Sequence, residues 1–156
     1  MLPVQRDGVT ALIVREIMNI NVTRILIGAT LRQAAEVSAI SSAADLAVVD
    51  EANTFVGTLS EGDLMRAALP SLSDTMAGGE TLKGNYDLIE EKAHEIAGNP
   101  IDPYVIRDPI TLSPNDPVHK AAALMSAKQI RRLPVVEGGK LVGTVARADI
   151  CRAVFR

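Results

Sequence analysis

The sequence predicts an α+β fold in which one β-α-β-β-α unit is used twice, with a helical linker between the copies. Three observations predict it. Leu133–Val136 and Leu141–Val145 are short apolar runs flanking Gly138-Gly139, the signal of a tight hairpin, and helix formers follow from Ala146. The same order of features recurs at Leu46–Val49, Thr54–Leu59 and Glu61–Leu69. The copies also keep a constant offset. Gly57 matches Gly143 and Asp63 matches Asp149, both 86 apart (143 − 57 and 149 − 63). Upstream the offset becomes 87, because the first turn carries one extra residue, and Ala34–Val37 falls on Ala121–Leu124. An internal repeat of this kind means one supersecondary unit used twice, the copies burying apolar faces on each other.

In chain order, Met1–Thr10 reads as an extended lead-in and Ala11–Met18 as a short helix ending near Asn19. Val22–Ile27 is apolar and β-branched, a strand. Gly28-Ala29-Thr30 is a turn whose last residue can cap the next helix, Leu31–Ala39, where apolar residues return at helical spacing. The first hairpin follows, then a closing helix stopped by Pro70. Ser71–Asp74 and Ala77–Glu80 are loop-like. Tyr86–Ala97 is an amphipathic helix with a stripe of Leu88, Ile89, Ala93, Ile96 and Ala97. Gly98 stands in the place of a helix C-terminal glycine, and Pro100 comes after it. This helix is expected beside the paired units or at a subunit contact. Ile110–Leu112 is the expected first strand of the second copy, Ser113–Pro117 a turn rich in breakers, and Val118–Ala127 a helix. The hairpin then leads into a last helix that runs to Phe155. Domain boundaries are accordingly 1–70, 71–104 and 105–156.

Composition narrows the function classes. Of the 156 residues 47% are hydrophobic but only 3% aromatic, with no Trp, so the core is aliphatic. No apolar run approaches the ~20 residues of a membrane span, and Val9–Val14 is too short and lacks the basic start of a signal peptide. A cytoplasmic protein without a membrane partner is expected. One Cys and two His allow no internal disulfide and give no metal-ligand spacing. Cys151 is expected to be a small, at least half-buried residue. No nucleophile–base pair and no paired acids at useful spacing are present, so no catalytic residue is assigned. The net charge of −3 disfavours general nucleic-acid binding. It is unevenly spread: residues 105–156 hold nine Arg and Lys against four Asp and Glu, a local excess that suits an anion site.

Leu133-Pro134-Val135-Val136 followed by Gly143-Thr144-Val145-Ala146-Arg147-Ala148-Asp149 resembles the CBS domain, the regulatory module named after cystathionine β-synthase. So does Leu46-Ala47-Val48-Val49 followed by Gly57-Thr58-Leu59-Ser60-Glu61-Gly62-Asp63. The resemblance implies tandem CBS-type repeats related by pseudo-two-fold symmetry. It also implies an adenine nucleotide (AMP, ADP or ATP) in a cleft between the repeats and a flat homodimer. Asp149 and Asp63 would hold the ribose hydroxyls, since one carboxylate accepts both O–H groups. Arg131 and Arg132 would reach phosphate. Gly143, Thr144, Gly57, Thr58 and Ser60 complete the two motifs, and Ile110 and Thr23 approximate the first-strand positions that read adenine.

The two copies are unequal. Arg131 and Arg132 are replaced in the first copy by Ala44 and Asp45, which would repel phosphate. Ser60 and Asp63 fit a capping box; with Ala146 in the place of Ser60, no box is expected in the second copy, and the presence of Asp149 there points to a ligand. The expectation is a non-catalytic sensor with one occupied site, no required cofactor, and an output in trans on an unknown effector protein. The alternatives are a structural dimerisation module with decayed sites, or a binder of another adenosyl ligand such as S-adenosylmethionine.

Overall fold

The computed structural model describes residues 5, 6, 9–69 and 82–156. The Pro70 stop, the loop readings at Ser71–Asp74 and Ala77–Glu80, and residues 1–4, 7 and 8 of the lead-in lie outside them. The elements in order are β1 (Gln5–Arg6), β2 (Val9–Thr10), α1 (Val14–Ile17), β3 (Arg24–Leu26), α2 (Leu31–Ser41), β4 (Asp45–Val49), β5 (Phe55–Ser60) and α3 (Glu61–Ala68). Then come α4 (Leu82–Ile96), a single 3-10 turn (Asp102–Tyr104), α5 (Val118–Lys128), β6 (Arg132–Glu137), β7 (Lys140–Ala146) and α6 (Arg147–Val154).

These elements gather into two compact units that do not follow chain order. Unit 1 takes Met1–Val22, Val49–Phe55 and Asp108–Arg156; unit 2 takes Thr23–Val48 and Val56–Arg107. The segment that precedes each copy in sequence therefore packs in the same unit as the other copy.

In unit 1, β6 and β7 form an antiparallel hairpin with Arg132 opposite Ala146 and Leu133 opposite Val145. Its turn places Gly138 and Gly139 at φ of 58° and 78°, the left-handed pair that a two-residue hairpin turn requires. Leu112 extends the row on one side: its N–H donates to the Pro134 carbonyl at 2.9 Å, and its own carbonyl accepts from Val136 at 2.8 Å. Asn19 extends it on the other, exchanging two backbone bonds with Thr144 at 2.8 and 2.9 Å. The strand expected over Ile110–Leu112 is thus one parallel bridge at Leu112. Pro109 has no N–H to give a ladder, and Pro114 opens the following turn. Val14, Ile17, Leu112, Met125, Leu133, Val135, Val145 and Ile150 bury the unit's aliphatic core.

Unit 2 repeats the arrangement. Its strand order is β3-β4-β5, and Ile106 adds to β5 by exchanging two bonds with Thr58 at 3.0 and 2.9 Å. Ile25, Leu31, Ala34, Leu46, Val48, Leu59, Ile101 and Val105 form its core. Thr30 caps α2 as expected, accepting from the Gln33 N–H at 3.1 Å, while the Gln33 side chain accepts from the Thr30 N–H at 2.9 Å. Gly98 does not terminate α4, for it has no left-handed φ. Instead the Leu31 and Arg32 N–H groups, orphaned at the start of α2, donate to the Asn99 and Ala97 carbonyls, both at 3.0 Å. One helix start and one helix end satisfy each other, so no glycine cap is needed. Among the described residues no helix is long and apolar enough to cross a membrane.

Candidate functional site

In unit 1 the candidate site lies where β7 turns into α6. Ala146 sits there in extended conformation, directly across the hairpin from Arg132. The Ala146 N–H donates to Oδ2 of Asp149 at 2.7 Å. One residue on, the Arg147 N–H donates to the Arg131 carbonyl at 3.2 Å, and its Nε donates to the Ile130 carbonyl at 3.0 Å. Arg131, Arg132, Arg147 and Asp149 are therefore brought to one end of the hairpin. The three arginines are exposed and make no ion pair among the described residues. Asp149 is mostly buried, and its Oδ1 meets Nη2 of Arg152 at 3.4 Å.

This corrects one inference. Ala146 removes only half of the capping box. The other half uses the N–H of Ala146, which any residue but proline supplies, and Asp149 accepts it. The carboxylate thus has a structural task, and its presence beside Ala146 does not by itself argue for a ligand. It still has acceptor capacity in reserve, since a carboxylate offers about four lone-pair directions.

The equivalent place in unit 2 is more completely engaged. Oδ2 of Asp63 accepts from the Ser60 N–H and hydroxyl, both at 2.9 Å, and Oδ1 pairs with Nη2 of Arg66 at 2.6 Å. The Asp63 N–H donates back to the Ser60 hydroxyl at 3.1 Å, completing the box. Burial pushes the Asp63 carboxyl up, but the Ser60 N–H, the Ser60 hydroxyl and the Arg66 guanidinium outweigh it and hold the group below its ordinary value. Asp63, Arg66, Ala67 and Tyr104 line a cavity of about 220 Å³. The Glu61 N–H donates to the Ala44 carbonyl at 2.9 Å, the counterpart of the Arg147 to Arg131 bond.

The remaining motif residues form the frame. A Cβ on Gly143 would lie 2.8 Å from Sδ of Met18 and 3.1 Å from the Asn19 carbonyl. One on Gly57 would lie 2.9 Å from both the Ile106 carbonyl carbon and Cγ1 of Val105. Each glycine thus makes room for the backbone that crosses its strand. Thr144 is 3% exposed and donates its hydroxyl to the Leu133 carbonyl at 3.1 Å; Thr58 pairs through its backbone with Ile106. Thr23 immediately precedes β3, its carbonyl accepting from Ala47 at 3.1 Å, and Ile110 is 37% exposed in unit 1. Cys151 is exposed rather than half-buried. No group of three metal-ligating side chains occurs among the described residues.

Three residues of these two places escaped the sequence reading. Arg66 and Arg152 stand three residues after their aspartates, the helical spacing of an ion pair, and were legible on that ground. Tyr104 was not, because nothing local ties the linker's end to the first copy.

The family model for the CBS domain matches residues 14–70 and 101–156. The uncharacterized protein MJ1225 of Methanocaldococcus jannaschii is 30% identical over 139 residues, which cover 89% of this chain and 41% of that protein. CBSX2 of Arabidopsis thaliana, solved in complex with AMP, superposes with a TM-score of 0.70 at 21% identity, covering 92% of this chain and 96% of that one. The CBS domain pair of protein MJ0100, solved with 5′-methylthioadenosine and S-adenosyl-L-methionine, gives a TM-score of 0.65 at 22% identity, covering 93% and 97%. The chain spans less than half the length of the curated relatives it matches, 41% in the case of MJ1225.

Proposed function

The chain belongs to the CBS domain family, and from that premise we propose that it is a non-catalytic regulatory module whose unit 1 binds an adenine nucleotide, AMP, ADP or ATP. The observation that carries this reading is the meeting of Arg131, Arg132 and Asp149 at one end of the β6–β7 hairpin. Arg131 and Arg132 are cationic donors for phosphate, and the spare lone pairs of Asp149 accept ribose hydroxyls. Support for the adenosyl part comes from CBSX2, solved with AMP, and from MJ0100, solved with two adenosyl compounds. Ile110, in the same unit, stays a candidate for reading the base. A ligand that binds the folded chain stabilises it and biases its conformations, and an effector protein, in a homodimeric assembly, is the proposed reader of that bias.

Equilibrium dialysis and thermal shift with each nucleotide test the reading. Saturation at 100 times Kd stabilises the fold by about 2.7 kcal/mol. Asp149→Ala and the Arg131→Ala/Arg132→Ala pair are expected to remove most of that shift. An unaltered shift in both variants, or none with any nucleotide at millimolar concentration, would sink it. One observation favours a second reading, a ligand-indifferent dimerisation module: both aspartates already serve caps and arginines. A dimer of constant mass with and without nucleotide would support that alternative.

A further inference from the structure

Of the exposed charged clusters, the one at the β7–α6 junction has a built-in control. Both units lock their junction with the same backbone bond, from the residue after the cap position to the residue that precedes the first strand's edge. In unit 1 it runs from Arg147 to Arg131 at 3.2 Å; in unit 2 it runs from Glu61 to Ala44 at 2.9 Å. The lock is the same, but each arginine of unit 1 is matched in unit 2 by a neutral or acidic residue. Unit 1 carries Arg131, Arg132 and Arg147 where unit 2 carries Ala44, Asp45 and Glu61. The fold therefore does not require arginine at any of these three positions.

Arg147 has the most constrained place of the three. Its Nε is tied to the carbonyl of Ile130, the residue immediately before Arg131. That bond fixes the direction of the guanidinium and leaves both Nη groups without a partner among the described residues. Two further guanidiniums start from the next two residues along the chain. Three like charges that start from neighbouring backbone positions, none of them ion-paired with a carboxylate among the described residues, repel one another, and an anion that spans them removes the repulsion. A monophosphate carries one phosphoryl group, too few to engage three guanidiniums at once; a di- or triphosphate chain offers more oxygens and more charge.

We infer that Arg147 is a specificity-determining residue, and that with Arg131 and Arg132 it makes unit 1 select a ligand bearing a chain of two or three phosphoryl groups over one bearing a single phosphate. This rests on the nucleotide reading only for the adenosine part; the phosphate chain is the part that Arg147 recognises.

The test is calorimetric titration of the full chain with AMP, ADP and ATP, and separately with inorganic phosphate and tripolyphosphate. The wild type is expected to bind ATP and ADP at least about tenfold more tightly than AMP, since a charge-assisted contact carries that much. Arg147→Glu, which installs the residue of unit 2, is expected to weaken AMP as well but to weaken ATP at least about tenfold more, so that the ATP-to-AMP ratio falls to near one. Arg147→Lys, which keeps the charge and loses the fork, is expected to fall between, and urea unfolding of each variant verifies that it folds. A wild-type ratio near one, or a ratio that Arg147→Glu leaves intact, overturns the inference. If no adenine nucleotide binds but tripolyphosphate does, and Arg147→Glu abolishes it, the nucleotide reading falls and the role of Arg147 stands. If tripolyphosphate fails to bind as well, both fall.

Discussion

Unit 1 and unit 2 form the same strand row from different residues, and what they share separates frame from function. Both have a glycine under the crossing backbone, a threonine that pairs with it, and an aspartate that accepts the cap N–H and meets an arginine three residues on. Those residues recur because the geometry needs them. What differs is the cap residue, Ser60 against Ala146, and the charges at the junction. Asp63 already accepts from the Ser60 N–H, the Ser60 hydroxyl and Arg66, and Asp45 and Glu61 stand in unit 2 where unit 1 has arginines. Asp149 has a weaker arginine contact, no hydroxyl partner, and three unpaired guanidiniums near it among the described residues. An internal repeat thus acts as its own control: a position that holds opposite charges on one backbone lock is not there for folding.

The largest expected difference between the units lies at the paired glycines. Gly57→Ala would push a methyl group into the backbone of Ile106, which cannot yield without losing the Thr58 bonds. A cost of about 3 kcal/mol, the upper end for overpacking, is expected. Gly143→Ala meets first the sulfur of Met18, the flexible part of a side chain, and about 1 kcal/mol is expected. Urea midpoints at constant m-value measure both. Equal costs would mean that the two crossings are equally tight.

Exchanging the cap residues gives the next effect. Ser60→Ala removes the hydroxyl that serves both Asp63 and its N–H, and it should cost about 1 kcal/mol. Ala146→Ser supplies that hydroxyl to unit 1 and should gain about 0.5–1 kcal/mol. If the gain comes with weaker nucleotide binding, the open acceptor capacity of Asp149 is part of the site. If binding is untouched, the missing hydroxyl is only a lost cap.

Most of the fold was legible because its signals are local. The diglycine turn, the Thr30 box and the helical periodicity of α2 and α4 each depend on residues a few positions apart. The grouping of the lead-in segments was not legible. Asn19 pairs with Thr144 and Ile106 with Thr58 through backbone groups alone, and backbone pairing leaves no side-chain pattern. Its one trace is the glycine before each threonine. Those glycines looked like parts of a ligand motif, and the Cβ distances tie them to the crossing chain. The missing side-chain cap at Ala146 does not by itself argue for a ligand at Asp149, because the carboxylate accepts the Ala146 N–H.

The smallest effect concerns acid. Hydrogen bonds and Arg66 hold the Asp63 carboxyl below its ordinary value despite burial. The unfolded chain therefore binds this proton more readily than the folded one. Asp63 contributes stability that is fully present above its unfolded pKa and is lost as pH falls through the lower, folded value. In urea midpoints taken from neutral pH down into that acid range, wild type should lose a component that Asp63→Asn has already lost at neutral pH. The two curves should converge at the acid end. A wild type that gains stability on Asp63 protonation would mean that burial outweighs Ser60 and Arg66, and that the carboxylate of unit 2 is the less satisfied of the two.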